Sequence, residues 1–157
     1  MTLEHLESTD KVSEAVEKIN QCVDAINNFE ASPTTLTKTC IAGENLDDGD
    51  YVYIYFNAGE LRTKKAVASN WKLGTSNIAD GFVLEAVIAG ESIDVYLIGI
   101  NDKLSDLTVG EPYYLSETVP GGVTLTPPES SGSIIQRVGV AVSDSELMYN
   151  PGEPLYR

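Results

Sequence analysis

The side chains best suited to chemistry in this sequence are three acids, Asp47, Asp48 and Asp50, grouped around Gly49. Their carboxylates could offer oxygens to a calcium ion, as acidic loops commonly do. The spacing is not that of an EF-hand loop, however, and no Glu closes it, because the chain continues into a tyrosine-rich segment from Tyr51. We therefore interpret the cluster as a solvated turn between strands, and the sequence predicts no metal site.

Residues for acid–base or nucleophilic catalysis are scarce. The one histidine, His5, lies near the amino terminus, so Ser-His-Asp and Cys-His arrangements lack a suitable base. Cys22 and Cys40 lie on different predicted elements without a metal-ligand spacing, and we interpret both as free thiols. The segment Pro120-Gly121-Gly122 fits a hairpin turn and is not followed by the Lys-Ser/Thr of a phosphate loop. The sequence predicts no enzyme, no catalytic residue and no cofactor.

The charge of the chain argues against further classes of partner. It has 24 acids against 10 Lys and Arg, a net charge of -14. Because nucleic-acid affinity depends on Lys and Arg at the phosphates, we predict no nucleic-acid partner. Acids interrupt the densest apolar run, 81–100, and the amino terminus lacks the features of a secretory signal. We therefore expect a soluble protein made in a cytoplasm, with no membrane partner.

Aromatic side chains leave one question of ligand binding open. Aromatic residues on an exposed sheet face can stack on sugars or fill a protein interface, but they are more often half-buried sheet residues. The single tryptophan, Trp71, lies in a polar loop. It is the candidate contact with a ligand or partner.

A helix is predicted from about Thr9 to Phe29. Ser8-Thr9-Asp10 can accept hydrogen bonds from its first backbone amides, and the segment contains neither Gly nor Pro. Its apolar residues alternate at intervals of four and three, which is the pattern of a heptad seam. They are Val12, Val16, Ile19, Val23 and Ile26.

The seam predicts how copies associate. β-Branched residues at its d positions, Val12, Ile19 and Ile26, disfavour the parallel two-stranded coiled coil. We therefore predict a short three-stranded bundle, with residues 1–31 as an oligomerisation or docking unit and 32–157 as a β domain. A helix this short is marginal by itself, so the β domain must contribute to association. The alternative is that the stripe packs on its own β domain as an ordinary amphipathic helix.

After residue 34 the sequence is typical of β structure. In the segment from Tyr51 to Phe56, tyrosines alternate with Val, Ile and Phe, which places the tyrosines on one face of a strand. Another strand is expected from Phe82 to Ala89, and several more follow between turn signals. Short strands at this spacing predict a mainly β chain with a small β-barrel or sandwich, preceded by the one helix.

An internal echo accompanies this pattern. Residues 46–54 align with 107–115, sharing a leucine, a glycine, an acid and a tyrosine, and Gly81–Leu84 aligns with Gly139–Val142. This indicates half-repeats at about 40–100 and 101–150. Coincidence among β turns is the alternative. If the repeat is real, the domain is two related lobes or one pseudo-symmetric barrel.

Several stretches also carry a family resemblance. Four segments look like the β domain of tailed-phage capsid decoration (cement) proteins and head fibres. They are 42–53, 57–66, 79–83 and 89–95. Three later segments are similar to parts of phage fibre and prophage structural proteins. They are 107–117, which contains Gly110-Glu111-Pro112-Tyr113-Tyr114, followed by 120–124 and 136–141. Together they span about residues 40–150. They are turn-and-strand patterns, so no catalytic or binding residue is carried over.

The resemblance implies a virion structural protein, trimeric and bound to the outer surface of a capsid, with the major capsid protein as its partner. It would be synthesised in the host cytoplasm. Two functions follow as expectations. The first is a homotrimeric decoration, cement or head-fibre protein that binds the capsid surface and stabilises it. The second is a receptor- or glycan-binding domain of a phage fibre.

Overall fold

The computed structural model of the chain describes residues 11–21, 23, 36–69 and 77–157. The chain divides into two compact units, Met1–Thr34 and Thr35–Arg157. In the first unit, residues 11–21 and 23 are helical and exposed; this helix is α1. The rest of the predicted helix lies outside the described residues. No helix among the described residues is long and apolar enough to cross a membrane.

The described part of the second unit consists of short strands joined by turns. They are β1 (Thr37–Ala42), β2 (Tyr51–Asn57), β3 (Glu60–Lys65), β4 (Gly81–Phe82), β5 (Ser92–Tyr96), β6 (Gly99–Asn101), β7 (Pro112–Leu115), β8 (Val123–Thr124), β9 (Ile134–Ile135), β10 (Arg137–Ala141), β11 (Leu147–Tyr149) and β12 (Leu155–Tyr156).

Strands β1 to β5 close into a barrel with the order β1-β3-β2-β4-β5. Strands β2 and β3 form a hairpin through Ala58 and Gly59, whose φ angles of 52° and 86° suit a two-residue hairpin turn. The barrel closes because β1 pairs antiparallel with β5 and parallel with β3. Small and branched side chains fill its interior: Cys40, Ala42, Leu46, Val52, Val83, Ile93 and Val95.

The remaining strands form a five-stranded sheet, β6-β11-β10-β7-β8, and a two-stranded pair, β12-β9. Because the barrel is closed, its order can equally be written β1-β5-β4-β2-β3. The five-stranded sheet has the same order when β6, β11, β10, β7 and β8 take the places of these strands. The register repeats as well. Gly81 lies opposite Val52 in the barrel, and Gly139 lies opposite Tyr113 in the sheet.

The turns that precede β2 and β7 make matching backbone contacts. In residues 47–50, the glycine N–H donates to Val83 O at 2.9 Å, and Val83 N–H donates to the carbonyl of Asp50 at 3.0 Å. In residues 108–111, the glycine N–H donates to Ala141 O at 2.8 Å, and Ala141 N–H donates to the last carbonyl of the turn at 3.1 Å. The two glycines have φ of 90° and 84°, a conformation that favours glycine. These are the positions that the sequence echo aligns.

A second core lies between the outer side of the barrel and the five-stranded sheet. Tyr51 and Phe82 enter it from the barrel and Tyr149 from β11, with ring centroids 5.7 to 6.0 Å apart. Because side chains alternate along a strand, Tyr51 faces this core while Val52 faces the barrel interior. The prediction of a mainly β chain with a small barrel and an amino-terminal helix is confirmed. The three-stranded bundle stays a prediction.

Candidate functional site

The apolar seam of α1 is open to solvent where the structure describes it. Val12, Val16, Ile19 and Val23 are 61%, 51%, 60% and 47% exposed. Off the seam, Lys18 Nζ lies 3.1 Å from a carboxylate oxygen of Glu14, an exposed pair that adds little to helix stability. Four β-branched side chains on one helix face can associate with an apolar surface but can do no chemistry. Of the predicted interface residues, Ile26 lies outside the described residues.

The predicted ligand contact, Trp71, also lies outside the described residues, which omit 70–76. Its role stays a prediction.

A lysine that sequence reasoning missed offsets part of the negative charge of the acidic turn. Lys65 Nζ lies 2.8 Å from a carboxylate oxygen of Asp47 and 2.9 Å from one of Asp50, and Asp47 N–H donates to Asp50 Oδ2 at 2.7 Å. Burial alone would lower the pKa of the Lys65 ammonium, but hydrogen bonds and attraction from both carboxylates raise it above its ordinary value. A signal was present in the sequence, because hairpin pairing sets Lys65 opposite Val52, near the turn.

Within residues 11–21, 23, 36–69 and 77–157, no group of three or more His, Cys, Asp and Glu could hold a metal ion. His5 and Cys22 lie outside these ranges. Cys40 is a buried free thiol inside the barrel, where burial raises its pKa, so little of it is in the reactive thiolate form.

A row of tyrosines runs along β2 from the core to the surface. Tyr51 is buried, while Tyr53 and Tyr55 are partly exposed with ring centroids 5.5 Å apart. The pairing of β2 with β3 sets Arg62 opposite Tyr55 and Lys64 opposite Tyr53, and Lys64 Nζ lies 5.8 Å from the centre of the Tyr55 ring. This arrangement could stack against a flat apolar group and donate hydrogen bonds beside it.

Sequence reasoning placed the tyrosines on one face but did not find the cations beside them. The signal was the alternation of Arg62 and Lys64 along β3, which a hairpin with Asn57 and Glu60 at its turn brings opposite the tyrosines. Burial raises the pKa of Tyr53, and the neighbouring Tyr55 adds to the effect. Tyr53 therefore remains a neutral hydrogen-bonding group at neutral pH.

A groove of about 360 Å³ lies on the barrel beside β5. Two acids, Glu85 and Asp94, and the ring of Tyr96 are among the residues that line it. Thr39 Oγ1 donates to Asp94 Oδ1 at 2.6 Å, which engages that carboxylate in the barrel wall. The groove offers both polar and apolar contacts to a bound group.

No family model matches the chain, and no curated protein matches it. Among solved structures, the chain is similar to the N base of the head fibre of bacteriophage phi29. The TM-score is 0.48, the sequence identity is 16%, and the match covers 78% of this chain and 92% of that chain. This neighbour is a phage head-fibre protein, the class that the sequence resembles. At this identity the likeness concerns the fold alone.

Proposed function

We propose that the chain is a non-enzymatic structural protein of a virion, a homotrimeric decoration or head-fibre protein that binds the outer capsid surface and stabilises it. Residues 1–31 register three copies, and the β domain, 32–157, supplies the larger contacts. The capsid partner is the major capsid protein, bound by shape complementarity and burial of apolar surface.

The observation that carries the proposal is the exposed seam of α1. Four β-branched side chains with heptad spacing are each about half exposed or more, although a helix in water ordinarily buries such a stripe. In the trimer, each seam packs against the seams of two neighbours. The sequence resemblance to decoration and head-fibre proteins supports the assignment to a capsid.

Sedimentation equilibrium of the purified full chain tests the trimer. We expect a trimer for the wild type and a monomer for Ile19→Asp, because a carboxylate in the seam would be buried beside two like charges. Gln21→Asp is the matched control, since Gln21 is exposed on the same helix but points away from the seam. A monomeric wild type would exclude the trimer, and equal loss in both variants would exclude the seam as its cause.

Binding to capsids is tested separately. The wild-type chain is titrated onto empty capsids and the bound fraction is measured after sedimentation. We expect saturable binding and a higher capsid melting temperature on saturation. Saturable binding that does not raise the capsid melting temperature would support attachment to the capsid and exclude a stabilising role.

We also propose that the two halves of the β domain, about 40–100 and 101–150, arose by duplication. Three features support this: the shared strand order, the matching register of Gly81 and Gly139, and the matching hydrogen bonds of turns 47–50 and 108–111. The halves differ in that β1 and β3 pair to close the first, while the second stays an open sheet. A duplicated module would let one half diverge towards a partner while the other maintains the fold.

A second candidate function is recognition of a receptor or glycan by a fibre. The observation that favours it is the platform of Tyr53 and Tyr55 beside Arg62 and Lys64. Glycan-array binding that is lost in Tyr55→Ala or Trp71→Ala would favour this function. Saturable capsid binding that both variants retain would favour decoration.

A further inference from the structure

The groove of about 360 Å³ on the barrel combines several kinds of side chain in one small space. Ser92, Asp94 and Tyr96 line it from the outer side of β5, because alternate residues of a strand share one side. Leu84 and Glu85, which follow β4, line it as well. A group bound there would meet carboxylate, hydroxyl, aliphatic and aromatic contacts together.

The aromatic part of the groove is held in a fixed position. The ring of Tyr96 stacks on that of Phe82, with centroids 5.5 Å apart and planes inclined by 20°, and Phe82 is fully buried. Leu84 packs against the same second core. A ligand therefore meets an apolar wall that is already in place, which lowers the entropy cost of binding.

The acids of the groove have no cation to pair with in the described part of the chain. Glu85 and Asp94 are exposed, and neither takes part in an ion pair among the described residues. Thr39 Oγ1 donates to Asp94 Oδ1 at 2.6 Å, which orients that carboxylate and leaves its second oxygen for a ligand. The groove thus presents uncompensated negative charge beside an apolar wall.

Two cations on neighbouring strands do not change this balance. Lys38 precedes Thr39 on β1, so its side chain leaves the other side of that strand. Arg62 faces the outer side from β3, but its guanidinium lies 3.0 Å from a carboxylate oxygen of Glu60. The positive charge that would complement the groove must therefore come from a ligand.

We infer that the groove binds an arginine side chain presented by a partner protein. The guanidinium has several N–H donors in one plane, which suit the carboxylates of Glu85 and Asp94. Its flat face can stack on the ring of Tyr96, and its methylene groups can lie against Leu84. A lysine ammonium would satisfy the carboxylates without the flat contact, and an anionic group would be repelled.

This inference rests on the proposed function, because it names one contact that the capsid partner makes. The arginine would lie in an exposed segment of the capsid surface, and the negative charge of this chain, -14 overall, would favour its approach. The groove would then add a charged, directional contact to the burial of apolar surface elsewhere.

The first test is an NMR titration of the ¹⁵N-labelled full chain with Nα-acetyl-arginine methylamide. We expect saturable shifts concentrated at Glu85 and along β5, from Ser92 to Tyr96. Nα-acetyl-citrulline methylamide has nearly the same shape without the charge, and we expect it to bind about tenfold more weakly or worse. Equal binding of the two compounds, or shifts spread over the chain, would overturn the inference.

Glu85→Gln and Asp94→Asn remove one charge each with little change of shape. In Asp94→Asn the amide oxygen can still accept from Thr39, so the barrel wall is kept. We expect either variant to bind the arginine compound about fivefold more weakly. Glu153→Gln is the matched control, because it removes the same charge at an exposed acid outside the groove. Equal weakening in all three variants would reduce the effect to net charge and overturn the site.

Binding to empty capsids separates this inference from the proposed function. If Glu85→Gln and Asp94→Asn bind capsids more weakly than Glu153→Gln does, the groove contacts the capsid. If all three bind like the wild type, the inference is wrong and the capsid role stands. If the wild type binds the arginine compound but no capsid, the proposed function fails while the arginine site stands.

Discussion

The side-chain amide of Gln136 pairs with the backbone of Ala79 as a neighbouring strand would. Gln136 Oε1 accepts from Ala79 N–H at 2.7 Å, and Nε2 donates to Ala79 O at 3.0 Å. Both residues are buried, at 2% and 3% exposure. Ala79 precedes β4 of the barrel and Gln136 precedes β10 of the sheet, so this pair ties the two halves of the β domain together.

Gln136→Leu removes both hydrogen bonds and replaces the amide with an apolar side chain of similar size. It leaves the buried N–H of Ala79 without a partner, so we expect the free energy of unfolding to fall by about 2 kcal/mol or more. Urea denaturation measures it. Tyr149→Phe is the milder comparison, because it removes one neutral bond to Ala79 O, at 3.0 Å, and leaves that carbonyl bonded to Gln136. Equal stability of Gln136→Leu and the wild type would contradict the prediction.

Tyr51→Phe should not destabilise the protein. The Tyr51 hydroxyl is buried beside the Asn101 amide and makes no hydrogen bond of ordinary geometry to any described residue. The neighbouring Asn101 amide donates to Gly49 O and accepts from Lys103 N–H, while burial holds the pKa of Tyr51 well above its usual range. Removing a buried unpaired hydroxyl leaves stability unchanged or raises it by up to about 1 kcal/mol. Thermal unfolding beside Tyr149→Phe, which should lose about 1 kcal/mol, checks the contrast.

Gly139→Ala should disrupt the five-stranded sheet. A Cβ at Gly139 would overlap the carbonyl of Met148 in the neighbouring strand, and backbone in a ladder cannot give way cheaply. We expect a loss of about 3 kcal/mol in the free energy of unfolding. At Gly152 the added Cβ would lie 3.6 Å from Arg137 Cβ, an ordinary contact, so Gly152→Ala should be nearly neutral. Similar losses in both variants would exclude the steric cause.

Gly81→Ala tests the matching position in the barrel. There the added Cβ would overlap the Tyr96 carbonyl of β5. If the halves are duplicates, Gly81→Ala and Gly139→Ala should destabilise to a similar extent, each by about 3 kcal/mol. Chemical denaturation of both variants makes the comparison, and tolerance of either one would count against the equivalence.

Lys65→Met should reveal a pH-dependent contribution of the acidic turn. The folded state raises the pKa of Lys65 above its ordinary 10.5, so the folded protein holds that proton more tightly than the unfolded chain. The stabilisation is therefore fully present below pH 10.5 and is lost as the pH rises through the folded pKa. Because the pair is partly exposed, we expect a difference of about 1 kcal/mol between wild type and variant at pH 7. A difference that stays constant up to the highest pH at which the protein folds would contradict this cause.

Much of β2 could be predicted from the sequence, because its alternation is local. Tyr51 and Val52 point to opposite sides, and the period of two along a strand is enough to show it. The Gly-acid turn could be predicted for a similar reason. Its backbone has a positive φ, which favours glycine, so the glycine marks the turn in the sequence.

Features set by long-range pairing could not be predicted in the same way. The predicted strand from Phe82 to Ala89 is wrong in its length, because β4 ends at Phe82. Beyond it, Val83 N–H donates to Asp50 O and Val83 O accepts from Gly49 N–H, while Val87 and Leu46 each donate to the other's carbonyl. These contacts with the turn and loop before β2 replace a continuing ladder. The parallel pairing of β1 and β3 likewise depends on which strands become neighbours.

The aromatic core between barrel and sheet bears on how the chain folds as it leaves the ribosome. All five barrel strands are complete once residue 96 has been synthesised, so the barrel can close early, as amino-terminal units generally do. Tyr51 and Phe82 would then face water until Tyr149, near the carboxyl terminus, arrives to cover them. The nascent protein thus passes through a stage in which an exposed aromatic surface can associate with other molecules. A translational pause or truncation between residues 97 and 146 would favour aggregation or chaperone capture.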